Sequence, residues 1–186
     1  RYYTILRFSI AHDVAFLTTA NPSSVIKLIE TAQCFADRLI EDLYNGTFRP
    51  PLDVLPPEAR HIRFRRQPKL AKKLQDCIIA DGTLLPTHFW NPAFLTHWTG
   101  GTLKLYLRRL RTFFPGVPIR DIGLLASEGR FSVPLEDETS AGVAEITSNF
   151  LEFIPAEQRE QDNPDTLRAH ELEVGQEYFI VTTNWA

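Results

Sequence analysis

Ala93-Phe94-Leu95-Thr96-His97-Trp98-Thr99-Gly100-Gly101-Thr102 decides how this chain is read. Residues 93–99 have the composition of a strand and the Gly pair that of a turn. Thr102 then opens a segment whose apolar residues Leu103, Tyr106, Leu107, Leu110 and Phe113 recur at helical spacing. Pro115 and Gly116 stop that helix, and Pro118 leads into a second apolar run, Ile119–Leu125. Strand, glycine turn, helix, strand is a βαβ unit, which predicts a parallel pair joined by a right-handed crossover.

The second run ends abruptly: Asp121-Ile122-Gly123-Leu124-Leu125-Ala126-Ser127-Glu128-Gly129-Arg130. One reading is a buried strand that carries the Ser127 hydroxyl and the Glu128 carboxylate to its end. Ligands gather there in open α/β sheets, and a carboxylate there suits a metal–nucleotide complex. The other is an ordinary strand followed by a solvated turn. Parallel strands would bring Thr99-Gly100-Gly101 to the same sheet edge as Ala126-Ser127-Glu128. A Gly pair admits close backbone approach, and a helix start offers N–H groups to an anion. Neither a Gly-x-x-x-x-Gly-Lys nor a Gly-x-Gly-x-x-Gly signature occurs here. A Gly-x-Ser-x-Gly elbow around Ser127 is excluded by Leu125.

Toward the N-terminus, Val14–Thr19 reads as a short strand whose end, Thr19-Ala20-Asn21, is a candidate border of a substrate pocket. One long helix is expected after it, from Val25, Leu28, Ile29, Ala32, Ala36, Leu39, Ile40 and Leu43. Asn21 or Ser23 would cap it, Pro22 suits its first turn and Asn45-Gly46 ends it. Lys27, Glu30, Asp37, Arg38, Glu41 and Asp42 form its expected solvent face. Cys34 is expected as a small core residue of this helix. Residues 48–59 hold Pro50, Pro51, Pro56 and Pro57, a rigid linker into a basic helical segment. Beyond residue 128 the chain is β-rich: Ala141–Pro155 suggests a strand pair, with Glu152 on the face opposite Leu151 and Phe153. Glu152 is read as outward-facing, or as a second polar group of a pocket. The chain is thus taken as one partial α/β domain over 1–186: strand and long helix (1–47), linker and basic segment (48–92), βαβ unit (93–128) and β-rich region (129–186). Its sheet is expected to be mixed or parallel, with packed helices.

A hydrophobic content of 44% is that of a globular domain, and no apolar run approaches the ~20 residues of a membrane span. The net charge of −3 conceals an uneven distribution. Arg60, Arg63, Arg65, Arg66, Lys69, Lys72 and Lys73 cluster, whereas from Glu136 onward twelve acidic residues face two arginines, a balance of −10. The basic run is read as a solvated helical face rather than a nucleic-acid grip, since no aromatic platform accompanies it. Cys34 and Cys77 lack metal or redox spacing, and a cytoplasmic setting is expected. His88, His97 and His170 lack mutual ligand spacing, and only His97 adjoins the glycine turn.

Five segments in order resemble the auxin-responsive family of acyl-acid amido synthetases, of the adenylate-forming luciferase and acyl-CoA synthetase superfamily, most closely its bacterial branch. They are Val14–Ser24, Trp98-Thr99-Gly100-Gly101-Thr102, Leu125-Ala126-Ser127-Glu128-Gly129, Asn149–Pro155, and Leu172–Tyr178 leading into Val181-Thr182-Thr183. The resemblance implies the large N-terminal domain of an enzyme that adenylates a small carboxylic acid with ATP and Mg²⁺, then passes the acyl group to an amino acid. It implies that Glu128 holds Mg²⁺, that Leu124, Leu125, Ala126 and Ser127 line the adenine side of the nucleotide site, and that Thr99, Gly100 and Gly101 form another wall. A non-catalytic module of the same fold, or a relative that acylates coenzyme A, are the alternatives. The plant pattern is closer to Tyr-Ala-Ser-Ser-Glu, so Leu124 stands where an aromatic would stack on a base. The family's phosphate loop, ribose-binding Asp and lid domain are not within these residues, and the sequence contains no Met, so the chain is expected to be an internal fragment.

Overall fold

The structure, a computed structural model, describes residues 1–51, 57 and 61–184. Pro56 of the predicted linker and Arg60 of the basic run lie outside the described residues. The backbone groups into two compact units, one of residues 1–121 and 137–140, the other of 122–136 and 141–186.

The first unit is built on a parallel sheet of three strands, β1 (Phe16–Thr18), β2 (Phe94–Thr96) and β3 (Ile119–Arg120), in that spatial order. Phe16 pairs with Phe94, and Leu95 with Ile119, so the predicted parallel βαβ pairing is present. Five helices accompany the sheet among the described residues: α1 (Tyr2–Ser9), α2 (Pro22–Cys34), α3 (Ala36–Asn45), α4 (Pro68–Asp81) and α5 (Lys104–Phe113). The Asn21 side chain accepts from the Ser23 N–H and Pro22 fills the first turn, the predicted start of α2. α2 packs on α1 and α5, and α3 on α4. One continuous core includes Leu6, Ile29, Leu39, Leu43, Leu74, Leu95 and Leu110, each 0% exposed. Each such side chain contributes about 1.5–3 kcal/mol relative to exposure.

The single long helix expected over 25–43 is two. Phe35 leaves helical geometry at φ −115°, ψ 26°, and its ring meets Tyr3 edge-on at 6.0 Å. The break lets each helix aim its own apolar stripe at the core. Cys34, at the end of α2, is exposed rather than a core residue. Asp42 also departs from expectation, being buried rather than on the solvent face. It accepts from the Tyr3 hydroxyl at 2.7 Å, the Thr47 hydroxyl at 2.6 Å, and the Arg49 backbone N–H and Nε at 2.8 Å each. Burial opposes its charge, but the hydrogen bonds from Thr47, Arg49 and Tyr3 outweigh it and hold the carboxyl below its ordinary value. Arg7, also buried, donates to the Asp42 and Thr47 carbonyls and stacks 3.9 Å from the Phe64 ring centre. Ala71 and Leu74 are the buried side of α4, whereas Arg63, Arg65, Arg66, Lys69, Lys72 and Lys73 are exposed.

Among the described residues the second unit contains three antiparallel pairs: β4 (Leu125–Ala126) with β5 (Gly129–Arg130), β6 (Ser132–Val133) with β7 (Val143–Ala144), and β8 (Phe150–Pro155) with β9 (Tyr178–Thr183). Its core is Phe131, Leu151 and Phe153. Leu151 and Phe153 are buried while Glu152 is half-buried on the opposite face of β8, the outward-facing alternative. The run Ile119–Leu125 is therefore not one strand. β3 stops at Arg120, and Gly123, at φ 79°, bends the chain so tightly that a Cβ would lie 2.3 Å from the Ser132 carbonyl oxygen. Ser127-Glu128 is the turn of a hairpin, not the end of a buried parallel strand, and Leu124 and Leu125 are exposed.

Candidate active site

Thr99, Gly100 and Gly101 follow the carboxyl end of β2. The ladder continues past the strand, with the His97 N–H donating to the Arg120 carbonyl at 3.2 Å. The Trp98 N–H donates to the Ala20 carbonyl at 3.3 Å, so Thr19-Ala20-Asn21 lies beside this strand end. Thr99 is buried, and both its N–H and its hydroxyl donate to Asp121 Oδ2, at 2.6 and 2.7 Å. Gly100 lies under Ser140, whose Cβ would stand 3.3 Å from an added methyl. Gly101 adopts φ 56° and faces open space, so bare backbone is what this turn presents. His97 is fully buried: its Nδ1 lies 3.0 Å from the Trp98 carbonyl, while Nε2 has no hydrogen-bond partner among the described residues. Burial lowers its pKa, and the Trp98 carbonyl and Asp121 only partly offset that. An Nδ1–H donor and a bare Nε2 describe a neutral imidazole.

Leu124, Leu125, Ala126, Ser127 and Glu128 belong to the second unit, at the β4–β5 hairpin, and all are exposed. The Ser127 hydroxyl donates to Glu128 Oε2 at 3.0 Å. Glu128's own backbone N–H and the Ser127 hydroxyl hold its carboxyl below the ordinary value, so it is anionic at neutral pH. Two amides flank the turn. Asn184 Nδ2 donates to the Glu128 carbonyl at 3.3 Å, and Asn149 Nδ2 stands 3.0 Å from where a Cβ on Gly129 would be. Asn149 and Asn184 also line a cleft of about 400 Å³ with Ile146, Thr147, Ser148, Phe150 and Thr183. Among the described residues no group of three or more His, Cys, Asp and Glu side chains could hold a metal ion by itself.

Asp121, Asn149 and Asn184 were not read as site residues from sequence. The signal for Asp121 is its position directly after β3, the strand that pairs with the one leading to Thr99. Asn149 opens one of the family-like segments without a role attached to it, and Asn184 carries no signal, because the pairing of β8 with β9 is what sets the two amides side by side.

The model of the GH3 family N-terminal domain matches residues 1–119, and that of the GH3 family central domain residues 142–186. Two solved structures superpose on 98% of the chain. An "AtGH3.15 acyl acid amido synthetase in complex with 2,4-DB" does so with a TM-score of 0.75 at 18% identity. A "GH3.15 acyl acid amido synthetase" does so with a TM-score of 0.73 at 17% identity. At that identity the likeness is one of fold. The chain spans 33% of the length of each. No curated protein matches the sequence significantly.

Proposed function

Because the chain belongs to the GH3 family, through its N-terminal and central domains, we propose that the protein carrying it is an ATP-dependent acyl-acid amido synthetase. A carboxylate oxygen of a small acid attacks the α-phosphorus of ATP, and pyrophosphate leaves. The amine of an amino acid then attacks the acyl carbonyl of the mixed anhydride. AMP departs with the acyl oxygen, and the amine loses a proton as the amide forms. Such chemistry asks a protein for positioning and charge neutralisation more than for covalent participation.

The observation that carries this reading is Glu128, an exposed, anionic carboxylate at a hairpin tip, held in its charged form by a hydroxyl and a backbone N–H. Its donor chemistry fits Mg²⁺, a hard cation that takes few protein carboxylates and completes its shell with phosphate oxygens and water. Bound there, the ion would neutralise charge on the phosphates. Ser127 orients the carboxylate. Beside it Leu124, Leu125 and Ala126 offer apolar surface to a base. Within the first unit, and taken by themselves, Thr99, Gly100 and Gly101 offer backbone to a ligand. ATP use and the free thiols of Cys34 and Cys77 favour a cytoplasmic setting.

The test is ATP–pyrophosphate exchange by the protein carrying this chain, against a panel of aryl, indolyl and aliphatic carboxylic acids. Acid-dependent exchange is expected, and Glu128→Gln should reduce it at least about a hundredfold without loss of folded protein. A Gln variant that exchanges at the wild-type rate removes the metal role. A folded wild type that exchanges with no acid points instead to a non-catalytic module.

A further inference from the structure

We propose that Asn149 and Asn184 are positioning residues for Glu128: their amides grip the outer edge of the β4–β5 hairpin and fix the turn that presents the carboxylate. This rests on the reading above that Glu128 holds Mg²⁺. β4 and β5 pair over two residues each, and a hairpin that short does not keep one shape in water unaided. Asn149 Nδ2 donates to the Arg130 carbonyl, and Asn184 Nδ2 to the Glu128 carbonyl, at 3.3 Å each. Carbonyls two residues apart on an extended strand point the same way, so the amides take the place of a neighbouring strand along β5.

The longest ladder among the described residues of this unit supplies both groups. Phe150 pairs with Thr183, so Asn149 and Asn184 stand opposite one another one step beyond that rung, on one face of the ladder. Gly129, between the two gripped carbonyls, lets the amide approach: a Cβ there would lie 3.0 Å from Asn149 Nδ2. Asn149 also has a firm base. The Glu145 N–H donates to the Phe131 carbonyl at 2.8 Å, and its carboxylate accepts from the Thr147 and Ser148 N–H groups at 2.8 and 3.3 Å. Ser127 holds the Glu128 side chain, whereas the amides hold the backbone from which it springs. Mg²⁺ demands near-ideal octahedral geometry, so a carboxylate on a fixed turn binds it better than one on a turn that wanders.

The experiment compares Asn149→Leu and Asn184→Leu in the protein carrying this chain. Amide hydrogen exchange of the metal-free protein is read beside the Mg²⁺ dependence of ATP–pyrophosphate exchange and the Tm. Each variant keeps the side chain's size and deletes the donor. Each is expected to speed hydrogen exchange at Ser127–Arg130 about fivefold, with the amides of β8 and β9 at the wild-type rate. The Mg²⁺ concentration for half-maximal turnover should rise about fivefold, the rate recovering to within about twofold as Mg²⁺ saturates. Hairpin amides and Mg²⁺ dependence both at wild-type values overturn the proposal. Loosened amides with wild-type Mg²⁺ dependence also overturn it, leaving a merely structural tie. A raised acid KM with wild-type Mg²⁺ dependence does the same, making the two residues only walls of the cleft they line. If one variant does not fold, the other decides by the same readouts. Wild-type Mg²⁺ dependence in Glu128→Gln removes the metal reading, and this proposal with it. An impaired Glu128→Gln beside two wild-type-like Leu variants removes this proposal alone.

Discussion

His97 shows how one buried side chain ties stability to pH. Its native pKa lies below the ordinary 6.5 because burial disfavours the cation. The unfolded chain therefore takes up the proton first as pH falls. Stability is whole above about pH 6.5 and declines as pH drops below it, until the native pKa is passed. Replacing His97 with Gln should flatten the stability curve between pH 7 and 5, followed by urea unfolding at successive pH values. Equal slopes in variant and wild type would show that another group carries the acid sensitivity. At this scale the sequence was legible where chemistry is local. Ser127 and Glu128 announce themselves as adjacent polar residues ending an apolar run. Asp42 does not, because the groups that satisfy it, Tyr3, Thr47 and Arg49, are assembled by tertiary folding. Helical spacing alone assigned Asp42 to solvent.

At the scale of elements, glycine separates two kinds of helix end. Gly46 closes α3 and Gly82 closes α4, both in the left-handed region, at φ 70° and 72°. A methyl on Gly82 would meet nothing, whereas one on Gly46 would lie 2.5 Å from the Phe64 carbonyl oxygen. Gly82→Ala should therefore cost only the left-handed penalty, about 1–2 kcal/mol. Gly46→Ala should cost clearly more, because backbone must also shift. Denaturant midpoints of the two variants, measured side by side, check the order, and equal losses would mean the Phe64 contact relaxes freely. The βαβ unit was legible because period and punctuation agree there: a Gly pair, helical spacing, then Pro and Gly. Where they conflict, reading failed. Ile119–Leu125 is apolar enough for one strand, yet Gly123 inside it was the turn signal that won. No Gly or Pro marks the break at Phe35, where packing on Tyr3 overrides a periodicity that runs on.

On the scale of the molecule, burial is distributed unevenly. The first unit's apolar cluster runs through all five helices and the parallel sheet, while that of the second holds Phe131, Leu151 and Phe153, with Leu167, Leu172 and Tyr178 partly buried around them. Ordering a residue's backbone costs roughly 1–2 kcal/mol, and a buried apolar side chain returns about 1.5–3. By that comparison three buried side chains hold the strands of the second unit less firmly than the large cluster holds the first, and β8 with β9 is its longest ladder. On β9, Phe179 and Ile180 are 41% and 42% exposed, so that strand adds little apolar burial. Native-state hydrogen exchange on residues 1–186 should then show two levels of protection. Amides of α2, α3 and β2, around Ile29, Leu39 and Leu95, exchange slowest, through the largest opening this chain makes. Amides of β8 and β9 exchange by a smaller opening, and those of the two-residue pairs β4–β5 and β6–β7 faster still. Equal protection of β9 and α2 would mean that the two units unfold together and that buried apolar area does not set their order. Should the levels differ as expected, the hairpin that carries Glu128 sits on the less stable unit. That is where ligand-binding loops are drawn from, and in the protein carrying this chain added Mg·ATP should slow exchange at Leu125–Arg130 first.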